Sequence, residues 1–152
     1  MLKFLFTNET DTALSKVFFT KTVARFESVL KSRIAKTLNR KDGEISLTLV
    51  SDKKIKSLNS TYRGKNTATD VLSFAYMEDQ KITVFNEATI HAGDIFISID
   101  TAKKQAKDHD LKQELEILFT HGLLHLFGFD HNDDKEEKEM ERWAKKILKH
   151  VL

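Results

Sequence analysis

The chain contains no cysteine and no proline, and it has only five glycines in 152 residues. The absence of cysteine excludes disulfides, thiolate metal sites and cysteine nucleophiles, and it fits a reducing compartment. The absence of proline removes a common marker of turns and helix ends. The few glycines are therefore the main residues left to mark where helices and strands end.

Long apolar runs are missing as well. No stretch of the chain approaches the roughly 18 residues that a membrane span needs. Residues 1–10 hold one lysine and a short apolar stretch before Asn8 and Glu9, which is not typical of a secretion signal. We therefore expect a soluble cytoplasmic protein.

The residues that are present fit one folded domain. Apolar residues make up 40% of the chain and charged residues 32%, and 11 phenylalanines can build a core. A chain of this length buries roughly two-thirds of its unfolded surface, so it needs no disulfide to fold. We predict a single domain over residues 1–152.

The net charge of +2 conceals an asymmetry along the chain. Residues 1–75 contain 14 Lys and Arg against 7 Asp and Glu, whereas residues 76–152 contain 11 against 16. The segment 12–41 is strongly basic and holds a single acidic residue, Glu27. Such a segment can attract phosphate polyanions, or it can be an ordinary solvated helix face.

Hydrophobic periodicity predicts strands and helices in alternation. The predicted strands cover residues 2–6, 44–50, 69–76 and 94–99, with a further hairpin strand at Ile82–Phe85. The predicted helices cover 13–39 (continuous or broken once), 53–62 after a cap at Asp52, 101–108 after a cap at Asp100, 111–127 before Gly128, and a last helix from Asp133 or Asp134. We therefore expect an α/β or α+β domain with a small mixed sheet of about four strands covered by helices.

Three histidines, two in the most apolar predicted helix and one just after it, have the spacing of a metal site. His121 and His125 are four residues apart, so their rings lie on one face of that helix. Gly128 can reverse the chain, which lets His131 fold back toward the pair. The spacing H-x₃-H-x₂-G-x₂-H is that of the metzincin zinc peptidases. Three neutral imidazoles can bind Zn²⁺ at about 2.0 Å and leave one position for water, as in catalytic sites.

The same helix lacks the general base of a peptidase. Metzincins place a glutamate after the first histidine, and this chain has Gly122 there. An ordinary core role for the histidines is the alternative, but an unpartnered polar group is costly in so apolar a helix. The other histidines, which we interpret as ordinary polar residues, are His91, His109 and His150.

Three segments, in order along the chain, resemble the YbeY family of bacterial single-strand endoribonucleases and ribosomal RNA maturation factors. They are LNSTYRGKNTATDVLSFAY at 58–76, GDIFIS at 93–98 and HGLLHLFGFDH at 121–131. Two positions depart from the family pattern. Phe129 keeps the ring but loses the hydroxyl of the usual tyrosine, and Ala75 replaces the usual proline at a strand exit.

The resemblance implies a metal-dependent enzyme that matures the 3′ end of small-subunit rRNA and supports ribosome quality control. It implies ribosomal partners and a zinc ion on His121, His125 and His131, although another divalent metal stays open. It also places Arg63 in the cleft that faces these histidines. A guanidinium binds phosphate bidentately and stays charged at physiological pH, so Arg63 is the candidate stabiliser of phosphate charge.

The roles of three aspartates stay open. Asp70 either orients Arg63 or caps the loop through its own backbone. Asp130 either fixes the tautomer of a histidine or is a turn residue. Asp94 either helps to hold the polar loop at 63–70 in place or is an ordinary polar residue at a strand end.

Two rival functions also stay open beside the endoribonuclease. A metallopeptidase is disfavoured by Gly122. A ribosome-associated, non-enzymatic RNA-binding module would use the metal for stability alone.

For the enzyme, zinc can supply hydroxide without a glutamate. Basic residues that can hold the RNA backbone without regard to sequence are Lys53, Lys54, Lys56 and Lys65.

Overall fold

The computed structural model describes residues 1–76 and 89–149, which form one four-stranded mixed sheet and six helices. This α+β architecture confirms the predicted fold class. The hairpin strand predicted at Ile82–Phe85 lies outside the described residues. Within the described ranges, no helix is both long and apolar enough to cross a membrane.

Strands and helices follow one another as the periodicity predicts. The strands are β1 (Leu2–Asn8), β2 (Asp42–Val50), β3 (Val71–Ala75) and β4 (Thr89–Ser98). The helices are α1 (Lys16–Val29), α2 (Lys31–Thr37), α3 (Asp52–Arg63), α4 (Ile99–Gln105), α5 (Leu111–Leu126) and α6 (Asp134–Ile147). The strand order is β1-β2-β4-β3, with β1, β2 and β4 parallel and β3 antiparallel to β4.

One face of the sheet builds the main core. Ile45 of β2 and Ile95 and Ile97 of β4 are fully buried there, in a cluster with apolar residues of α1, α5 and α6. Because side chains alternate along a strand, Phe96 of β4 points to the opposite face. There it packs against a smaller cluster that includes Ile55 of α3. The helix that carries the histidines and the helix that carries Arg63 therefore cover opposite faces of one sheet.

Two glycines let α5 lie close against β3 and β4. A Cβ on Gly93 would lie 2.5 Å from the carbonyl oxygen of Phe74 and would also clash with Leu126 of α5. A Cβ on Gly122 would lie 3.0 Å from Ile95. The helix predicted to carry metal ligands is therefore fixed on the sheet at short range.

The helix predicted over 13–39 is broken once. α1 ends at Val29, and Leu30 leaves the helical conformation (φ −114°, ψ 29°) before α2 begins at Lys31. The side chain of Leu30 is buried in the main core. The break therefore lets two short basic helices each place apolar residues on the core.

Two predicted helix caps are wrong. Ser51, not Asp52, caps α3 by accepting a hydrogen bond from a backbone amide, and Ser98, not Asp100, does the same for α4. Asp52 instead accepts hydrogen bonds from the hydroxyls of Ser98 and Thr101, which hold its pKa below the ordinary value. This carboxylate therefore joins α3 to the start of α4.

Candidate metal centre and cleft

The turn after α5 sets the geometry of the site. Gly128 takes a positive φ of 92° and reverses the chain, as the sequence predicts. The amide of Phe129 then donates to the carbonyl oxygen of Leu124 at 3.1 Å and closes the helix end. The next residues, Asp130 and His131, are thereby directed back toward the last turn of α5.

His125 and His131 come together at this turn. Their ring centroids are 5.2 Å apart. One nitrogen of each ring and a carboxylate oxygen of Asp130 lie within 4.8 Å of one another, close enough to share a metal ion. Imidazole nitrogen and carboxylate oxygen are both common ligands of divalent metals. These residues therefore fit a metal site.

His121 lies one turn before His125 on the same side of α5 and is not part of the group formed with Asp130 and His131. Burial lowers the pKa of His121, and charge on His125 lowers it further, whereas Asp70 acts in the opposite direction. The lowered pKa favours the neutral ring of His121, which is the form that binds a metal. Its place among three histidine ligands stays a prediction.

Asp130 has a turn role beside the two rings. Its carboxylate accepts hydrogen bonds from the backbone amide of His131 at 2.8 Å and from the Asn132 side chain at 2.9 Å. The first of these is the main cause that lowers the pKa of Asp130. Its distance to Nδ1 of His131, 3.9 Å, is too long for a hydrogen bond that would fix a tautomer. The structure therefore shows the turn role of Asp130 and excludes a hydrogen bond between its carboxylate and Nδ1 of His131.

Arg63 is the last residue of α3, and Gly64 ends the helix with a positive φ of 69°. One guanidinium nitrogen of Arg63 donates to the carbonyl oxygen of Ser73 at 2.6 Å. The guanidinium also lies over the ring of Phe74, 5.2 Å from its centroid. Arg63 is thus tied to β3 while it remains exposed to solvent, so an anion can bind it at a small ordering cost.

Arg63 and the histidine turn line one cleft of about 870 Å³. Arg63 and Lys65 lie on the side formed by the end of α3 and the loop after it. His125, Asp130 and His131 lie on the side formed by α5 and its turn. A polyanion bound along this cleft would contact both sides.

Two polar residues shape the loop on the Arg63 side. The buried side chain of Asn59 donates to the carbonyl oxygen of Thr67 at 2.9 Å. Asp70 accepts a hydrogen bond from the amide of Val71 at 2.7 Å. Of the two roles left open for Asp70, the structure therefore shows the loop cap. Sequence reasoning missed Asn59, whose only signal was its place in the first family segment.

Position 122 is tightly packed for any residue larger than glycine. Gly122 is buried and faces the sheet, where a Cβ would lie 3.0 Å from Ile95 and 3.2 Å from the Ser73 hydroxyl. A larger residue there would require these strand side chains to shift, because the Cβ contacts are shorter than ordinary packing distances. This helix therefore carries two candidate ligands, His121 and His125, without the glutamate of a peptidase.

Asp94 is the centre of a polar cluster on β4. Its carboxylate accepts hydrogen bonds from the hydroxyls of Ser46 and Tyr76 and contacts the ring of His91 at 2.9 Å. Burial acts to raise the pKa of Asp94, but these contacts together lower it. Asp94 therefore joins β2 to Tyr76, the residue that follows β3. It lies within β4 rather than at its end, and these contacts do not involve the loop at 63–70.

The two described histidines outside the candidate ligand set have acidic partners. The ring of His91 lies between Asp94 and Glu44, and Nε2 of His109 contacts Glu114 at 2.5 Å. These contacts agree with an ordinary polar role for both residues. His150 lies outside the described residues.

The hydrogen bond from Tyr76 to Asp94 predicts a raised pKa for the Tyr76 phenol. The 2.6 Å hydrogen bond to Asp94 raises the pKa of Tyr76 from 10.0 to about 12. Because the folded state holds this proton more tightly, the bond stabilises the fold fully below pH 10 and loses that effect as the pH rises through about 12. The measurement is phenolate absorbance in Tyr62→Phe, in which Tyr76 is the only tyrosine.

Asp94→Asn in the same background is the control for this titration. Removing the carboxylate is expected to return the pKa of Tyr76 toward 10.0. A phenol that titrates near 10.0 while Asp94 is intact would contradict the network.

Arg33 of α2 reaches the histidine turn, and sequence reasoning missed it. Its Nε donates to the carbonyl oxygen of Phe127 at 3.1 Å, and its guanidinium lies 4.4 Å from the ring centroid of Phe129. No motif marks Arg33, and 94 residues separate it from Phe127. Only the fold reveals this contact.

Comparisons with known proteins agree with the fold and with the motifs. A protein of Heliobacterium modesticaldum named endoribonuclease YbeY is 43% identical over 116 residues, which are 72% of this chain and 70% of that protein. A protein of Bacillus licheniformis with the same name is 40% identical over 131 residues, 83% of each chain. The solution structure of a Thermotoga maritima protein shares the fold, with a TM-score of 0.61 at 24% identity over 97% of this chain and 91% of that one.

The family model described as endoribonuclease YbeY matches residues 6–152, which is nearly the whole chain. The matched range includes both sides of the cleft and the turn that carries His131. The chain therefore belongs to the endoribonuclease YbeY family.

Proposed function

We propose that this chain is a zinc-dependent, single-strand-specific endoribonuclease that matures the 3′ end of small-subunit rRNA and supports ribosome quality control. It acts in the cytoplasm as one domain over residues 1–152, with the small ribosomal subunit or associated proteins as partners. The observation that carries the proposal is the cleft that Arg63 shares with His125 and His131. Family membership supplies the reaction class.

The proposed zinc ligands are His121, His125 and His131, with Asp130 beside them. Bound zinc supplies Lewis-acid stabilisation of a phosphodiester and lowers the pKa of a water molecule to about 7. Burial lowers the pKa of His121 and so favours the neutral ring that this role needs. The reversal at Gly128 prepares His131 by turning it toward the helix.

Arg63 is proposed to neutralise the negative charge that grows on the phosphoryl oxygens during cleavage. Its bond to Ser73 and its stack on Phe74 hold the guanidinium at the cleft, and its fork carries further N–H donors. The exposed lysines of α3 and the lysine of the following loop bind the RNA backbone without regard to sequence. These lysines are Lys53, Lys54, Lys56 and Lys65.

The test is cleavage of a labelled single-stranded RNA by the purified protein, with metal analysis of the same preparation. We expect about one zinc ion per chain. We also expect cleavage of the single strand but not of a matched duplex, loss of cleavage after chelation, and recovery when Zn²⁺ is added. A small-subunit rRNA fragment with an extended 3′ end tests the proposed target.

Other outcomes would favour the rival functions. RNA binding without cleavage by zinc-loaded protein would support a non-enzymatic RNA-binding module. Cleavage of peptides would support a metallopeptidase. Cleavage of RNA that resists thorough chelation would contradict the metal dependence.

A further inference from the structure

We propose that Arg33 is a positioning residue that holds the turn after α5 in the shape its metal ligands need. In this proposal Arg33 acts through its contacts with Phe127 and Phe129. The inference rests on the proposed function, because it takes His131 as a zinc ligand. It assigns a role in the site to the basic segment 12–41, which no motif marks.

The turn that carries His131 has little burial of its own. Asp130 and His131 are both exposed, and Asp130 bonds to its near neighbours along the chain. Phe129, the residue before them, is only 7% exposed and anchors the turn on the protein. The contacts that fix Phe129 therefore help to fix where His131 lies relative to His125.

Phe129 is held from two helices at once. The guanidinium of Arg33 in α2 lies 4.4 Å from its ring centroid, which is within the range of a cation–π contact. Trp143 of α6 meets the same ring at 60°, with centroids 6.4 Å apart. Without Arg33, the Phe129 ring would keep the Trp143 contact but lose the other of these two contacts.

Arg33 also closes the end of α5. Phe127 is the C-cap residue, and carbonyl groups at a helix end lack partners within the helix. The Nε–H of Arg33 donates to this carbonyl at 3.1 Å, and its positive charge meets the negative end of the helix dipole. A Cβ on Gly128 would lie 3.1 Å from the same guanidinium. One side chain thus packs along the whole turn from Phe127 to Phe129.

The test is the Zn²⁺ dissociation constant of Arg33→Gln, measured by competition with a chromophoric chelator. We expect this constant to rise by about 10–100-fold over the parent, as is usual for partners that orient metal ligands. Arg33→Lys is expected to restore little of the loss, because an ammonium keeps the charge but lacks the planar fork that both stacks and donates. Lys36→Gln removes a positive charge from the same helix and is expected to bind Zn²⁺ like the parent.

A second measurement follows the turn without metal. In the metal-free protein, Arg33→Gln is expected to shift the ring C–H resonances of His131 and to leave those of His109, which lies outside the cleft, in place. Thermal unfolding of the metal-free variants controls for folding. Should Arg33→Gln fail to fold, Arg33→Lys is judged by the same two measurements.

Several outcomes would overturn the proposal. Parent-like Zn²⁺ affinity in Arg33→Gln would do so, as would an equal loss in Lys36→Gln. Weaker RNA binding with unchanged Zn²⁺ affinity would make Arg33 a direct phosphate contact instead. A parent protein that binds Zn²⁺ but does not cleave RNA would overturn the proposed function and leave this inference standing, whereas a parent that binds no Zn²⁺ would overturn both.

Discussion

Arg63→Ala is expected to slow single-turnover cleavage of saturating single-stranded RNA by about 10²–10³-fold. The guanidinium lies in the same cleft as His125 and His131, held there by the Ser73 carbonyl and the Phe74 ring. A charge that acts mainly on the transition state changes the rate far more than the affinity. RNA affinity is therefore expected to change little, and zinc content not at all, because arginine is not a zinc ligand.

Two variants control for charge alone. Arg63→Lys is expected to recover little activity, because an ammonium keeps the charge but loses the planar fork. Replacing Lys53 and Lys54 by alanine removes two charges from the same helix, α3. We expect that double variant to bind RNA more weakly and with a flatter salt dependence, while its rate at saturation is spared.

The measurements are single-turnover cleavage and equilibrium RNA binding, both at one fixed salt concentration. If Arg63→Ala cleaves saturating RNA at the parent rate, Arg63 is a backbone contact or a surface residue. Its catalytic assignment is then wrong.

His125→Ala is expected to remove most of the bound zinc. The ring of His125 is close to both His131 and Asp130, so the substitution removes one of three grouped ligand atoms. Partners that only orient a ligand are worth about 10–100-fold in metal affinity, so loss of a ligand itself should exceed about 100-fold. The fold is expected to persist, because the buried residues of α5 that pack on the sheet are unchanged.

Metal analysis after dialysis and thermal unfolding are the two measurements for this variant. His91→Ala is the control, since it removes an imidazole outside the cleft and is expected to keep its zinc. Unchanged zinc content in His125→Ala would contradict the proposed site. Complete unfolding of His125→Ala, beside a folded His91→Ala, would indicate a structural metal.

The sequence was sufficient to predict the helix and turn that carry the candidate ligands. A helix over 111–127 was predicted, and α5 runs from Leu111 to Leu126. The reversal at Gly128 was predicted as well, and its φ is positive. Both features depend on local backbone chemistry, namely the helical period and the freedom of glycine at positive φ. The spacing of His125, Gly128 and His131 along the chain was therefore enough to predict that the His131 ring lies near the His125 ring.

Helix caps and breaks were less predictable, because tertiary contacts compete for the same side chains. Asp52 had the chemistry of a cap, but the hydroxyls of Ser98 and Thr101 occupy its carboxylate and Ser51 caps the helix. The helix breaks at Leu30, whose side chain is buried in the main core. Periodicity alone allowed either a continuous helix or a broken one there.

The sequence by itself determined the fold class, the helix with its histidines and, through three ordered segments, the family. The resemblance also placed Arg63 in a cleft with the histidines, and the structure shows Arg63, His125 and His131 lining one cleft. Only the tertiary structure decided that Arg33 contacts the turn at Phe127 across 94 residues. The strand order β1-β2-β4-β3 was likewise decided at that level. The physical reason is that a helical or strand period sets only which neighbours along the chain share a face, whereas contacts between distant segments depend on how the layers pack.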